Sequence, residues 1–109
     1  MEMNERILPD VVVLQPKERL TLENEAELKE AVGRQLKAGR VRLVLDLAQV
    51  PYIDSCGLGT IVQAHLDTSR AGGWLKLQNV KGRNLQLLAV TRLLGVIGVY
   101  TPERRAASA

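Results

Sequence analysis

Met1 to Leu8 alternates weakly between apolar and polar residues, Pro9-Asp10 marks a turn, and Val11 to Leu14 is an apolar, valine-rich run. The chain is therefore expected to open with a β-hairpin. From Leu22 to Ala38 the period changes: Leu28, Ala31, Val32 and Leu36 fall at helical offsets, with Thr21 placed to cap the start and Gly39 to end it. Val41 to Leu47 is short, aliphatic and nearly continuous, as a central strand covered on at least one face should be. Beyond Ser55, the residues Leu58, Ile61, Val62, His65, Leu66 and Ser69 trace one side of a helix that Gly72-Gly73 ends. Trp74 to Val80 then alternates like a strand with one solvated face. Asn84 to Leu94 reads as a helix apolar nearly all round, and Val96 to Tyr100 as a last strand. Thr101-Pro102-Glu103 has the pattern of a helix start, and Arg104 to Ala109 that of a frayed end.

Alternating strands and helices argue for an α/β domain, and 109 residues leave room for one domain only. Composition narrows the function classes. Fifteen basic against twelve acidic residues leave a net charge of +3, which mildly favours acidic partners. Only 3% of the residues are aromatic, so direct nucleic-acid binding through stacking is not expected. The single cysteine, Cys56, excludes an internal disulfide and a thiolate metal cluster. No apolar run approaches the roughly eighteen residues of a membrane span, and Glu2, Glu5 and Asp10 interrupt the N-terminal stretch unlike a secretory signal. The expectation is a cytoplasmic domain without membrane insertion.

The chemistry concentrates where the central strand hands over to the second long helix, at Tyr52-Ile53-Asp54-Ser55-Cys56-Gly57-Leu58-Gly59. A hydroxyl at that junction lies beside unpaired N–H groups and the positive end of a helix dipole, so it can carry a phosphate. Asp54 would repel a phosphate on its neighbour, so its carboxylate is expected to point elsewhere, to backbone N–H groups or a partner cation. Competing readings are plainer. A serine opening a helix is commonly an N-cap contributing about 1 kcal/mol. Cys56 near a helix start is a reactive thiol or, better, a small buried filler. Gly57 and Gly59 lack the third glycine of a nucleotide loop, which leaves close backbone approach. His65, the sole histidine, lies ten positions along the same helix, roughly 15 Å from Ser55, so no hydrolytic dyad or metal site forms and a packing role is expected. The Arg34, Lys37, Arg40 and Arg42 group reads as a solvated face. The apolar helix around Leu85 to Leu94 is expected to be core, with Leu87 or Leu94 on its outer side as the place for an interaction patch.

The strand Val44-Leu45-Asp46-Leu47 followed by Tyr52 to Gly59 resembles the STAS domain family, and within it the bacterial anti-sigma factor antagonists. Gly72-Gly73, Leu87 to Thr91 and Val99-Tyr100 extend the resemblance over most of the chain. It implies an α/β fold with a mixed sheet of four to five strands and helices packed mainly on one face. It also implies a phosphorylation site at Ser55, partner contacts through Thr21, Asp54, Ser55, Cys56, Gly57 and Leu58, and no cofactor. The implied partners are a serine kinase that is itself the anti-sigma factor, and a serine phosphatase. The unmodified antagonist would bind the kinase and free the sigma factor; the domain would be a kinase substrate and no enzyme. Three positions depart from the family pattern: Glu18 where a turn glycine is usual, Thr21 in place of a frequent aspartate, and Arg92 at a customary helix-ending glycine. A C-terminal helix cut short by the chain end is a further departure. The alternatives are a STAS subunit of a signalling scaffold or membrane transporter complex, and a small serine- or thiol-dependent enzyme.

Overall fold

A computed structural model describes residues 1–100. Four strands, β1 (Met3–Ile7), β2 (Val12–Pro16), β3 (Arg42–Asp46) and β4 (Trp74–Gln78), form one sheet in the order β1-β2-β3-β4. β1 and β2 are the expected antiparallel hairpin, closed by the Leu8 N–H donating to the Val11 carbonyl at 2.9 Å. β2 with β3 and β3 with β4 are parallel, so helices must carry the chain back between them. Those helices are α1 (Glu25–Lys37), α2 (Ser55–Arg70) and α3 (Gly82–Val90). The fold is the mixed α/β sheet that the sequence implied.

Period-two alternation explains which side of the sheet the helices cover. Val12, Leu14, Leu43, Leu45, Leu75 and Leu77 face one way and pack with Leu28 and Val32 of α1, Ile61 and Ala64 of α2, and Leu88 of α3 in a single buried cluster. The opposite face carries a smaller cluster of Val11, Val13 and Val44, flanked by Leu8, Trp74 and Tyr100. Asp46 lies at the end of β3, 5% exposed, and its carboxylate accepts from Gln15 and Gln78 on the two flanking strands, from Asn79 and from the Ala48 N–H, at 2.9–3.2 Å. These bonds tie β2, β3 and β4 together where the chain leaves the sheet for α2.

Several expectations need correction. Thr21 does not cap α1. Its carbonyl accepts from Asn24 and Glu25 and its hydroxyl from the Glu23 N–H, which makes a separate turn, and α1 starts at Glu25 with Asn24 as the flanking residue. The expected Asn84–Leu94 helix runs from Gly82 and stops at Val90. Arg92 turns into the left-handed region at φ 62°, and a short 3-10 turn, Leu93–Gly95, follows. The expected Val96–Tyr100 strand is reduced to one parallel bridge, Leu77 with Val99, because that turn consumes the residues a strand would need. Leu87 and Leu94 pack against the core, whereas Val90 (82% exposed) and Leu85 point outward. Arg34 is not merely solvated: its guanidinium meets the Glu5 carboxylate at 3.0 Å, linking α1 to the edge strand. The helix start expected at Thr101 and the frayed end from Arg104 lie outside the described residues. Among the described residues, no helix is long and apolar enough to cross a membrane.

α2 buries a side rotated from the one expected: Ile61 is fully buried and Leu58 packs against the core, as expected, but the rest of the inner side is different. Gly57, Thr60, Ile61, Ala64 and Thr68 face inward; Leu66 is exposed, and Leu58 and Val62 are half-buried. Small residues on the inner side allow close approach to neighbouring backbone, so the bulkier aliphatics occupy the flank. His65 is half-buried on that flank, consistent with a packing role, although its Nδ1 is buried without a hydrogen-bond partner.

Candidate functional site

Two chain segments distant in sequence build the surface around Ser55. Leu20 and Ile53 form a parallel bridge, with the Leu20 N–H donating to the Tyr52 carbonyl at 2.9 Å and the Asp54 N–H to the Leu20 carbonyl at 3.2 Å. This zips the loop after β2 to the loop after β3. Gly57 makes the juxtaposition possible: a Cβ there would sit 2.3 Å from the Leu20 carbonyl oxygen. The expectation of close backbone approach thus holds at Gly57 but not at Gly59, where an added Cβ meets nothing within 4 Å.

Asp54 is the N-cap of α2. One carboxylate oxygen accepts from the Gly57 N–H at 2.8 Å and the other from the Leu22 N–H at 3.1 Å. One side chain therefore holds both halves of the site. It points, as expected, to backbone N–H groups and away from its neighbour. The Gly57 bond, helped by those from the Leu22 and Cys56 amides and opposed by desolvation, holds the Asp54 carboxyl below the usual carboxylate range. Asp54 is therefore a fixed negative charge at physiological pH.

Ser55 is the first residue of α2, beyond the cap and not the cap itself. It is exposed, and its hydroxyl makes no hydrogen bond among the described residues. A hydroxyl committed to capping would be turned back on the helix; with Asp54 filling that role, Ser55 Oγ is left to solvent. Cys56 is half-buried with its carbonyl accepting from the Thr60 hydroxyl at 3.1 Å, Gly57 is buried beneath Leu20, and Leu58 is half-buried. Gly57 thus serves the surface from below. Thr21 is half-buried, its N–H donating to Asn24 Oδ1 at 2.9 Å.

Glu18 does not leave its turn unsupported for want of a glycine. Its carboxylate accepts from Asn24 Nδ2 at 2.8 Å and from the Glu2 N–H at 3.3 Å, and these bonds, Asn24 first, lower its pKa. Asn24 Nδ2 also donates to the Arg19 carbonyl at 2.7 Å, so the loop carrying Thr21 and Leu22 is held from several directions.

Three surface residues emerge only from the structure. Leu22, read in sequence as the start of a helix, is 67% exposed beside the Asp54 contact. Tyr52 and Arg83 border a groove of about 500 Å³ between the start of α2 and α3, which Ser55, Leu58, Leu87 and Val90 also line. Nothing local in the sequence around Arg83 links it to Ser55. The signal is the next residue, Asn84, a polar side chain that is buried and donates to the Val50 carbonyl at 2.7 Å.

Comparison with known proteins fits this arrangement. The STAS domain family model matches residues 2–106. A candidate anti-sigma factor antagonist from Thermotoga neapolitana is 33% identical over 96 residues, covering 87% of this chain and 85% of that one. The crystal structure of a candidate anti-sigma factor antagonist from Thermotoga maritima superposes with a TM-score of 0.85 at 30% identity, over 97% of this chain and 92% of that one. The Bacillus antagonist SpoIIAA, solved in unphosphorylated and phosphorylated forms, shares the fold at 13% identity, with TM-scores of 0.74 and 0.75 over 98% of this chain and 96% and 98% of the respective structures. With a family model spanning nearly its whole length and a relative one-third identical over most of it, this chain belongs to the STAS domain family.

Proposed function

We propose that this domain is a phosphorylation-switched anti-sigma factor antagonist: unmodified, it binds an anti-sigma factor that is also a serine kinase, and so frees the sigma factor. Phosphorylation of Ser55 ends the binding, and a serine phosphatase restores it. The observation that carries the reading is the exposed, unbonded Ser55 hydroxyl at the first position of α2, with Asp54 already taken up by backbone amides. The relatives named as antagonists supply the class of partner.

In the transfer, Ser55 Oγ attacks the γ-phosphorus of ATP held by the partner. The new Oγ–P bond forms as the bond from γ-phosphorus to the bridging oxygen breaks; ADP leaves with its electron pair, and the hydroxyl proton passes to a base on the kinase. This chain contributes the acceptor and the docking surface of Thr21, Leu22, Asp54, Cys56 and Leu58. It is a substrate and has no catalytic residue of its own in that reaction. Kinase, sigma factor and ATP place the exchange in the cytoplasm.

A phosphoserine adds about −1.5 to −2 charge. Asp54 next to it is held ionised, so the new charge joins an existing one instead of neutralising it. A surface shaped for the unmodified loop then faces several like charges at close range, and each loss of about 1.4 kcal/mol weakens binding tenfold. The fold is expected to survive, because Ser55 is at the surface and donates to nothing. Ser55→Ala should bind the kinase as the unmodified protein does and take up no phosphate from ATP. Phosphate transfer of equal extent to Ser55→Ala would overturn the assignment.

A further inference from the structure

Arg83 shares the groove with Ser55 and is the one cation among the residues that line it. It has no carboxylate partner among the described residues. Its guanidinium rests over the Tyr52 ring, 5.5 Å from the centroid, and both side chains are exposed. A surface cation–π contact of this kind is weak beside a charge-assisted pair with phosphate, which a guanidinium can engage through two N–H groups at once. The neighbouring Asn84 fixes the first turn of α3 to the Val50 carbonyl, so the backbone carrying Arg83 is anchored to the loop that leads into Tyr52 and Ser55. Arg83 is thus exposed at its tip and fixed at its root.

The local charges make a role for it. Asp54, adjacent to Ser55, is ionised and bonded through both oxygens to backbone N–H groups, which hold its charge beside any phosphate on Ser55. A cation within reach offsets that repulsion, and Arg83 is the one the groove supplies. We infer that Arg83 is the internal partner of phosphorylated Ser55: its guanidinium leaves the Tyr52 ring, pairs with the phosphate and draws it against the groove between α2 and α3. Phosphorylation then does two things to a docking partner. It adds charge at Ser55, and it rearranges the Tyr52–Arg83 face that the unmodified protein presents.

The inference rests on Ser55 being the phosphoacceptor, and the test is arranged so that the two stand or fall separately. Phosphoserine is installed at position 55 by genetic encoding, without any kinase, and its phosphate is titrated by 31P NMR. Pairing with a cation favours the dianion, so the second phosphate pKa should be lower in the otherwise unchanged protein than in Arg83→Gln, by about 1 unit. Arg83→Lys should fall between them, as a point charge without the planar fork. The Tyr52 ring resonances should shift on phosphorylation in the parent and stay in place in Arg83→Gln. Arg83 is exposed, so both variants should fold, which their amide spectra verify. Equal phosphate pKa values in the parent and Arg83→Gln overturn the inference, whatever the kinase-binding experiments show. A lowered pKa that returns in Arg83→Gln supports it, even if phosphorylation proves not to control the kinase.

Discussion

Gly57→Ala tests whether the two halves of the site are assembled by close approach. The added Cβ would lie 2.3 Å from the Leu20 carbonyl oxygen and 2.9 Å from both its carbonyl carbon and its Cγ. Restoring ordinary contact requires the Leu20 backbone to retreat by about 1 Å. That backbone is held by the Leu20–Tyr52, Asp54–Leu20 and Leu22–Asp54 hydrogen bonds, so the retreat strains all three. Overpacking of this kind costs about 1–3 kcal/mol, and weakening one backbone bond adds about 1 kcal/mol. Alanine regains about 1 kcal/mol over glycine inside a helix. The expected net loss is about 2 kcal/mol, read by urea unfolding followed by circular dichroism. Gly59→Ala is the matched control. It lies two residues further along the same helix and its Cβ meets nothing, so it should stabilise by about 0.5–1 kcal/mol. Opposite signs at the two glycines support close approach at Leu20. A Gly57→Ala protein as stable as the parent would refute it, as would equal shifts at both sites.

Arg92 adopts φ 62° just beyond α3, a conformation that costs a side-chain-bearing residue about 1 kcal/mol. Arg92→Gly should therefore stabilise by about 0.5 kcal/mol after the added freedom of the unfolded chain is subtracted, while Arg92→Ala should not; equal midpoints for the two in denaturant would locate the effect in lost charge. Asp46→Ala leaves partly buried donors on β2, on β4 and in the loops that follow β3 and β4 without their acceptor, and should lose about 1–2 kcal/mol in the same assay. Glu18 and Asp54 both have lowered pKa values, so both are more acidic folded than unfolded. Their contribution is complete above the ordinary carboxylate range near pH 4 and is lost as pH falls through the depressed folded values. Stability should drop on acidification below about pH 5, less steeply in Glu18→Gln and Asp54→Asn; an unchanged acid slope in both would show that these bonds do not hold the loop.

Much of the architecture was legible in the sequence because hydrophobic period and β-branching report backbone geometry directly. The hairpin, the aliphatic β3 and the strand-to-helix junction at Ser55 are all of this kind. What escaped depends on contacts across the fold. The buried side of α2 is made of Gly57, Thr60, Ile61, Ala64 and Thr68; apart from Ile61, which the hydropathy pattern picks out, these residues are small, and the pattern favours the bulkier Leu58, Val62 and Leu66 instead. Thr21 has the chemistry of a cap, yet its hydroxyl and carbonyl close a turn of their own before α1. The last strand was lost to Arg92 in the left-handed region and the 3-10 turn that follows it. At the site, Ser55 and Asp54 could be singled out from the motif and Asp54's turning away anticipated, but not its second bond to Leu22, which spans 32 positions of sequence. Arg83 and Tyr52 meet through the packing of α3, which Asn84 ties to Val50.

The most direct test is to titrate the anti-sigma kinase with this domain carrying either serine or encoded phosphoserine at position 55, and to measure both dissociation constants by calorimetry at one salt concentration. A switch made by charge at an exposed helix start predicts that phosphoserine weakens binding at least tenfold, with amide spectra showing the domain still folded. Equal affinity for the two forms, or a phosphoprotein that no longer folds, would contradict it.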